Sequence, residues 1–362
     1  MKIAYFINTF KSTNWGGQAT SAGIKHLLSK EYPDAKFTPL DLPNLPFRKI
    51  KILRYYYDKV LLNALLKDDQ KKIISILKKM NISETIFDNF THICFNGEGA
   101  VHYKSGHLIR FMGLLYLAKL KNKYVASINQ TIDLNNNQKL ETLISKVYNL
   151  CDFISVREPI SFKLAKKIGI KNCKLIPDAV YGLPKIENEE ILSIVKKYNL
   201  PQKYITITGS SALKRNKNSI NQMSKLLQFT QDIFKDTPIV FMANAKTDLY
   251  LANRLKSRFN LNIINSKDTS YHEAIAIFAK SMLLVGGRQH PNIFAYMYKV
   301  PYVAFDGNTF KNKGVGELQN YPLSPLHWKL DFEKYKNAID TVFKQKIKFN
   351  EIPITNFKIY EE

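Results

Sequence analysis

The residues best suited to chemistry sit in Leu283-Leu284-Val285-Gly286-Gly287-Arg288-Gln289-His290-Pro291, where an apolar run ends in two glycines and releases an arginine and a histidine. A strand-to-helix junction of this kind gathers a two-pronged guanidinium, a group that titrates near neutral pH and the open amides of a helix start. Arg288 is therefore expected to bind an anion, and His290 to donate a proton or contact phosphate. In Asn96-Gly97-Glu98-Gly99-Ala100 a carboxylate stands between two glycines after the apolar run Ile93 to Phe95. Gly97 and Gly99 would let a substrate come close, and Glu98 would take a proton from a hydroxyl; the alternative is a turn whose glutamate caps the next helix. Ser155-Val156-Arg157-Glu158-Pro159 offers Arg157 as a fork for phosphate or carboxylate, or as a surface partner of Glu158, while Asp178 reads as a turn cap. Ser210, Ser211 and Lys214, in Gly209-Ser210-Ser211-Ala212-Leu213-Lys214, suit a phosphate, and Lys311 and Lys313 add cations on a later loop. Asn14, Gly16 and Gly17 precede a helix, so their backbone could approach an anionic substrate.

These loops need rigid elements behind them. Short apolar runs alternate with helical patterns: Ile3 to Ile7 then Ala19 to Leu28, Ile93 to Asn96 then Leu108 to Leu120, Tyr124 to Ile128 then Leu140 to Asn149, Phe153 to Val156 then Ile160 to Ile168. The style returns after Gly182-Leu183-Pro184, with strands expected at Tyr204 to Thr208, Ile239 to Met242, Leu261 to Ile264, Met282 to Val285 and Tyr302 to Phe305. Strands separated by helices imply parallel βαβ units, whose ligands collect outside the carboxyl ends of the strands. The expected fold class is α/β, two Rossmann-like parallel-sheet lobes facing a central cleft. Residues 1–184 would form the first lobe, on the acceptor side, and residues 185–362 the second, with the donor site and a C-terminal helix.

The chain's 362 residues suffice for two cores. With 54 Lys plus Arg against 30 acidic residues it carries +24, so its partner should be an anion. The lysines are spread along the chain and no nucleic-acid-binding motif is present, which argues against nucleic acid and for a small anionic donor. Cys94, Cys151 and Cys173 are far apart and lack CxxC spacing, so neither a disulfide framework nor a metal cluster is expected, and a reducing cytoplasm fits. No apolar run reaches membrane-spanning length; Phe111 to Ala118 reads as a buried helix. The basic, tyrosine-rich stretch Phe47-Arg48-Lys49-Ile50-Lys51-Ile52-Leu53-Arg54-Tyr55-Tyr56-Tyr57-Asp58-Lys59 is either a solvated helix face or a peripheral contact with the inner face of the cytoplasmic membrane.

Taken in order, Asn14-Trp15-Gly16, the Gly97 loop, Ile154-Ser155-Val156-Arg157-Glu158, Pro177-Asp178 and Gly287-Arg288-Gln289-His290 with Val300-Pro301 resemble the polysaccharide pyruvyl transferase family over residues 8 to 313. The resemblance implies a GT-B-like pair of lobes and transfer of pyruvate from phosphoenolpyruvate onto a sugar diol, as a ketal, in bacterial cell-surface polysaccharide synthesis. By position, Arg288 and His290 match the family's Arg-x-His contact with phosphoenolpyruvate, and Arg157 its other recurrent arginine. On that pattern His290 protonates the enol, Glu98 activates the acceptor, and Arg288, Arg157 and Lys311 neutralise the donor. The donor is a co-substrate, with no cofactor or metal implied, and the acceptor is a sugar or lipid-linked glycan. The chain departs from the family at Gly17, Gln289, Pro291 and Glu98. A carboxylate in a glycine loop together with His290-Pro291 also resembles bacterial sialyltransferases, which implies a glycosyltransferase using a CMP-linked acidic sugar. A noncatalytic module binding anionic glycan or nucleic acid is the third expectation.

Overall fold

The computed structural model describes residues 1–6, 9, 12–40, 44–46, 50–344, 347–354 and 357–360, with the Lys344 side chain excepted. Arg48 and Lys49 of the basic stretch, with Phe47, lie outside the described residues, as does Ile7, the expected end of the first strand. The chain packs into two compact units, one of Met1–Asn8, Lys25–Asp178 and Ile354–Glu362, the other of Thr9–Ile24 and Ala179–Pro353.

The first unit is built on β1 (Lys2–Phe6), β2 (Lys36–Leu40), β3 (His92–Glu98), β4 (Tyr124–Gln130), β5 (Phe153–Val156) and β6 (Cys173–Leu175). They form one parallel sheet in the order β2-β1-β3-β4-β5-β6. Helix α1 (Trp15–Glu31) contributes only its last turns, from Lys25 on, and the remaining helices here are α2 (Lys51–Lys67), α3 (Gln70–Lys79), α4 (Leu108–Leu120), α5 (Gln138–Tyr148) and α6 (Pro159–Lys167). Phe111 to Ala118 of α4 is buried throughout, as its apolar run requires. Strand β2 escapes the sequence pattern because Pro39 interrupts it, which an edge strand tolerates since one side of its backbone makes no ladder.

The second unit carries β7 (Ile205–Ser210), β8 (Ile239–Ala243), β9 (Asn262–Asn265), β10 (Leu283–Gly287) and β11 (Tyr302–Ala304), parallel in the order β11-β10-β7-β8-β9. Helices α7 (Asn188–Lys197), α8 (Lys217–Phe234), α9 (Lys246–Phe259), α10 (Tyr271–Lys280), α11 (Gln289–Met297), α12 (Lys311–Leu318) and α13 (Phe332–Lys344) complete it. Leu284, Val240 and Met242 join one apolar cluster, while Leu283, Val285 and Phe241 join another. Both faces of the sheet are covered, which is why these strands read as unbroken apolar runs.

The packing differs from a division at 184/185 in three places, the first being the boundary itself, which falls between Asp178 and Ala179. Residues 9–24 belong to the second unit because Trp15 is wholly buried there: its Nε1 donates to the Thr269 carbonyl at 2.9 Å, its backbone N–H to Asn244 Oδ1 at 2.8 Å, and its ring meets Phe278 edge-on. Residues 354–362 belong to the first unit, where the Tyr360 ring packs among those of Tyr32, His92 and Tyr124.

Candidate functional site

In the second sheet β7 lies between β10 and β8, so the chain reverses its direction of strand addition between β7 and β10. The helices leaving two such strands diverge and leave a crevice at their carboxyl ends. Ser210 and Gly287 are register partners at that point, after a register shift between Val285 and Gly287.

Arg288 follows immediately, at the N-cap of α11, in extended conformation and without a side-chain capping bond. Its Nε donates to Asp248 Oδ2 at 3.0 Å and its Nη2 to Asp248 Oδ1 at 2.7 Å, a parallel fork that fixes the plane of the guanidinium. Asp248 is fully buried in the first turn of α9, whereas the Arg288 side chain keeps 13% exposure. Burial pushes the Asp248 carboxyl above its ordinary value, opposed by Arg288 and by the amides of Asn244 and Ala245. The clamp needs Gly209: a Cβ there would lie 2.1 Å from Asp248 Oδ1.

His290 occupies the first turn of α11 and is 8% exposed. Its Nε2 shares a hydrogen bond of 3.0 Å with Thr20 Oγ1, on the first half of α1. The other edge of the ring lies against Gly16, where a Cβ would come within 2.0 Å of Nδ1. Gly16 and Gly17, expected to precede the helix, lie in the first turn of α1, and Gly16 meets the imidazole directly. Asn14 accepts from the Gly17 N–H at 3.2 Å, the geometry of a helix cap, and the Gly17 carbonyl accepts from Thr9 Oγ1 at 2.8 Å.

The loops after β7 and β11 are tied to the same corner. Ser210 Oγ donates to the Asp306 carbonyl at 2.7 Å, and Ser211 Oγ donates to Asn308 Oδ1 at 2.9 Å. A Cβ on Gly307 would lie 3.2 Å from Ser211 Oγ and 3.4 Å from Lys311 Cε, which sets Lys311 beside the serine loop. Asn312 donates to the carbonyls of Gly287 and Phe305, at 3.1 and 2.6 Å, joining the ends of β10 and β11. Lys214 is exposed on the loop after β7, whereas Lys311 and Lys313, expected on a loop, stand in the first turn of α12, with Lys313 exposed.

The first unit places its candidates differently. Strand β3 runs through Glu98, so Gly97 and Glu98 are strand residues where a loop was expected. Glu98 closes the strand at a φ of 30°, the left-handed region that side chains rarely enter. It does not cap the next helix, which begins ten residues on at Leu108 behind His107. Gly97 abuts Gln130, a Cβ there lying 2.3 Å from its Oε1, whereas Gly99 faces open space.

Of the two roles expected of Arg157, the surface pair with Glu158 is not formed, and the guanidinium meets a carboxylate of the protein itself, that of Asp178. Arg157 is 2% exposed, its Nη1 donates to Asp178 Oδ2 at 2.7 Å and its Nε to Thr131 Oγ1 at 3.1 Å. Glu158 instead caps α6, accepting from the Ile160 N–H at 2.8 Å and the Ser161 N–H at 3.1 Å, with Pro159 at the first helical position. Burial raises the Glu158 carboxyl, and Ser161 and Arg157 work against that rise.

Sequence reading missed Asp248, Thr20 and Asn312. An apolar-periodic helix starting just after β8 would have flagged the Asp248 turn; nothing local signals Thr20 or Asn312.

In fold the chain is similar to solved GT-B structures. The Methanocaldococcus jannaschii UDP-GlcNAc 2-epimerase in complex with UDP-GlcNAc and UDP has TM-score 0.63 at 14% identity, covering 99% of this chain and 97% of that one. The S. aureus MnaA-UDP co-structure has TM-score 0.62 at 11% identity, covering 98% and 93%. The Neisseria meningitidis UDP-GlcNAc 2-epimerase bound to UDP-GlcNAc has TM-score 0.61 at 11% identity, covering 98% and 97%. No curated protein matches the chain. The family model of polysaccharide pyruvyl transferase matches residues 14–309, from the Asn14 cap of α1 to the loop before Lys311. With most of its length matched, the chain belongs to the polysaccharide pyruvyl transferase family.

Proposed function

We propose that this transferase moves pyruvate from phosphoenolpyruvate onto two hydroxyls of a sugar, closing a ketal and releasing phosphate. The observation that carries the reading is the Asp248-clamped Arg288 at an α11 start without a side-chain cap, with His290 in the same turn. A dianionic phosphate beside a carboxylate calls for a fixed fork and for helix amides, and Asp248 engages one edge of the guanidinium while Nη1 points to the other. Lys311, beside the serine loop, supplies a further cation for the phosphate, while the Ser210 and Ser211 hydroxyls are committed to Asp306 and Asn308 and hold that loop in place.

His290 gives the proton of Nε2 to the methylene carbon once the Thr20 hydroxyl swings aside, since Gly16 covers the Nδ1 edge. The resulting oxocarbenium centre is attacked by one sugar hydroxyl, the C–O bond to phosphate breaks, and the second hydroxyl closes the ring. One hydroxyl proton replaces the one lost by His290 and the other leaves on phosphate, so charge and atoms balance. The reaction asks for no bound cofactor, and a lipid-linked glycan is a suitable acceptor.

Thermal melting with phosphoenolpyruvate, CMP, UDP and their sugars tests the donor. A donor at 100 times its dissociation constant should add about 2.7 kcal/mol of stability. Stabilisation by CMP or UDP, with none from phosphoenolpyruvate, overturns the reading in favour of glycosyl transfer. With a diol acceptor, His290→Ala should lower phosphate release by about 10²-fold or more if His290 is the acid.

A further inference from the structure

Helix α2 is built the wrong way round for a helix that only serves its own core. Its buried side chains, Leu61, Ala64 and Leu65, lie in its second half, where Leu61 packs beside Leu77 around Gly113 of α4. In its first two turns the large apolar side chains face solvent: Ile52 is 81% exposed, Tyr55 71% and Tyr56 57%. Among the described residues nine large hydrophobic side chains are exposed, and five of them fall within residues 50–56; the others are scattered singly. Positions 52, 55, 56 and 59 follow the i, i+3, i+4, i+7 spacing of one helix face, opposite the buried one. That face ends in Lys59, is flanked by Lys51, and bears no acidic side chain; Asp58 falls on the inner side, where Arg54 and Arg110 act on it.

We propose that this face of α2 docks on an anionic lipid leaflet, independently of which donor the enzyme uses. Isoleucine would enter the acyl boundary, the tyrosine rings would lie at headgroup depth with their hydroxyls wet, and the two lysines would reach lipid phosphates. Charge selects the occupant. A second copy of this chain, itself at +24, would set lysines against lysines, whereas an anionic surface complements them.

The test is co-sedimentation of the full chain with vesicles of phosphatidylcholine alone or mixed with phosphatidylglycerol. Wild type should pellet with the mixed vesicles, be released by salt, and stay in solution with phosphatidylcholine alone. The triple variant Ile52→Ser, Tyr55→Ser, Tyr56→Ser and the pair Lys51→Glu, Lys59→Glu should each lose about tenfold or more in partitioning, because each removes one of the two attractions. Melting temperatures should be unchanged, since the side chains are exposed, and single Tyr56→Ser and Lys59→Glu variants give the same sign if a combination unfolds. Failure of wild type to pellet overturns the proposal, as does undiminished pelleting of both variants. A wild type that elutes as a dimer, with the triple variant a monomer, overturns it in favour of self-association.

Discussion

Two strand ends in this chain present the same short motif and use it in opposite ways. After β5 the chain reads Val156-Arg157-Glu158-Pro159, and after β10 it reads Gly287-Arg288-Gln289-His290; each arginine leads straight into a helix. Beside β5 the helix is capped by Glu158, and the arginine is buried against Asp178. Beside β10 the N-cap residue Arg288 makes no side-chain capping bond, and the arginine is clamped along one edge while still reaching solvent. A capped start with a buried ion pair holds a fold together; an uncapped start with a fixed, accessible guanidinium can receive an anion.

The largest expected effect lies on the β5 side. Arg157→Ala strands the Asp178 carboxylate in the interior and should cost about 3–5 kcal/mol of stability, read by denaturant melts. Protein that stays folded should keep its turnover. Lost turnover with unchanged melting would return Arg157 to the donor site and erase the contrast.

Next comes the β10 side, where Arg288→Ala should lower kcat/KM with phosphoenolpyruvate by about 10²–10³-fold, the scale of a lost donor to developing charge. Lysine should restore little, because a single ammonium cannot reproduce the fork. A lysine variant equal to wild type would show that only charge matters there.

The finest probe is pH. Protonating Asp248 opens the clamp, and its carboxyl titrates above the ordinary 3.8, so the acid limb of kcat/KM should lie above that value. A carboxyl raised in the folded state favours folding most in acid and loses that contribution as pH rises through its folded value. The limb therefore reports the clamp, and this group should not lower the melting temperature across it. Asp248→Asn should remove the limb and reduce kcat/KM by up to about 10²-fold through misplacement of the guanidinium. An unaltered limb in that variant would detach Asp248 from the reaction.

Much of the architecture could be read from the chain because parallel strands covered on both faces are apolar runs closed by glycine or a helix start. Leu283 to Gly287, ending in two glycines, and Phe153 to Val156, with α6 starting at Pro159, are of this kind. Edge strand β2 was hidden by Pro39, and the two arginines looked alike because burial is decided by distant partners. Asp178 lies 21 residues from Arg157 and Asp248 lies 40 from Arg288, while Thr20 and His290 are separated by 270. No local periodicity carries such pairings. Glycine at 16 and 209 was visible as a letter, but its reason, an imidazole in one case and a carboxylate in the other, required the packed chain.

The exchange of terminal segments between the two units bears on biosynthesis. A ribosome delivers most of the first sheet early, yet Tyr360, whose backbone N–H and carbonyl both bond the Tyr32 hydroxyl at 2.9 Å, emerges only after the whole second unit. Trp15 meanwhile waits for Asn244 and Thr269 to be translated before its indole has a home. Neither half can finish folding as a nascent fragment, so a ribosome stalled near residue 184 should hold a chain with an unfilled aromatic box and an exposed tryptophan, a natural target for chaperones.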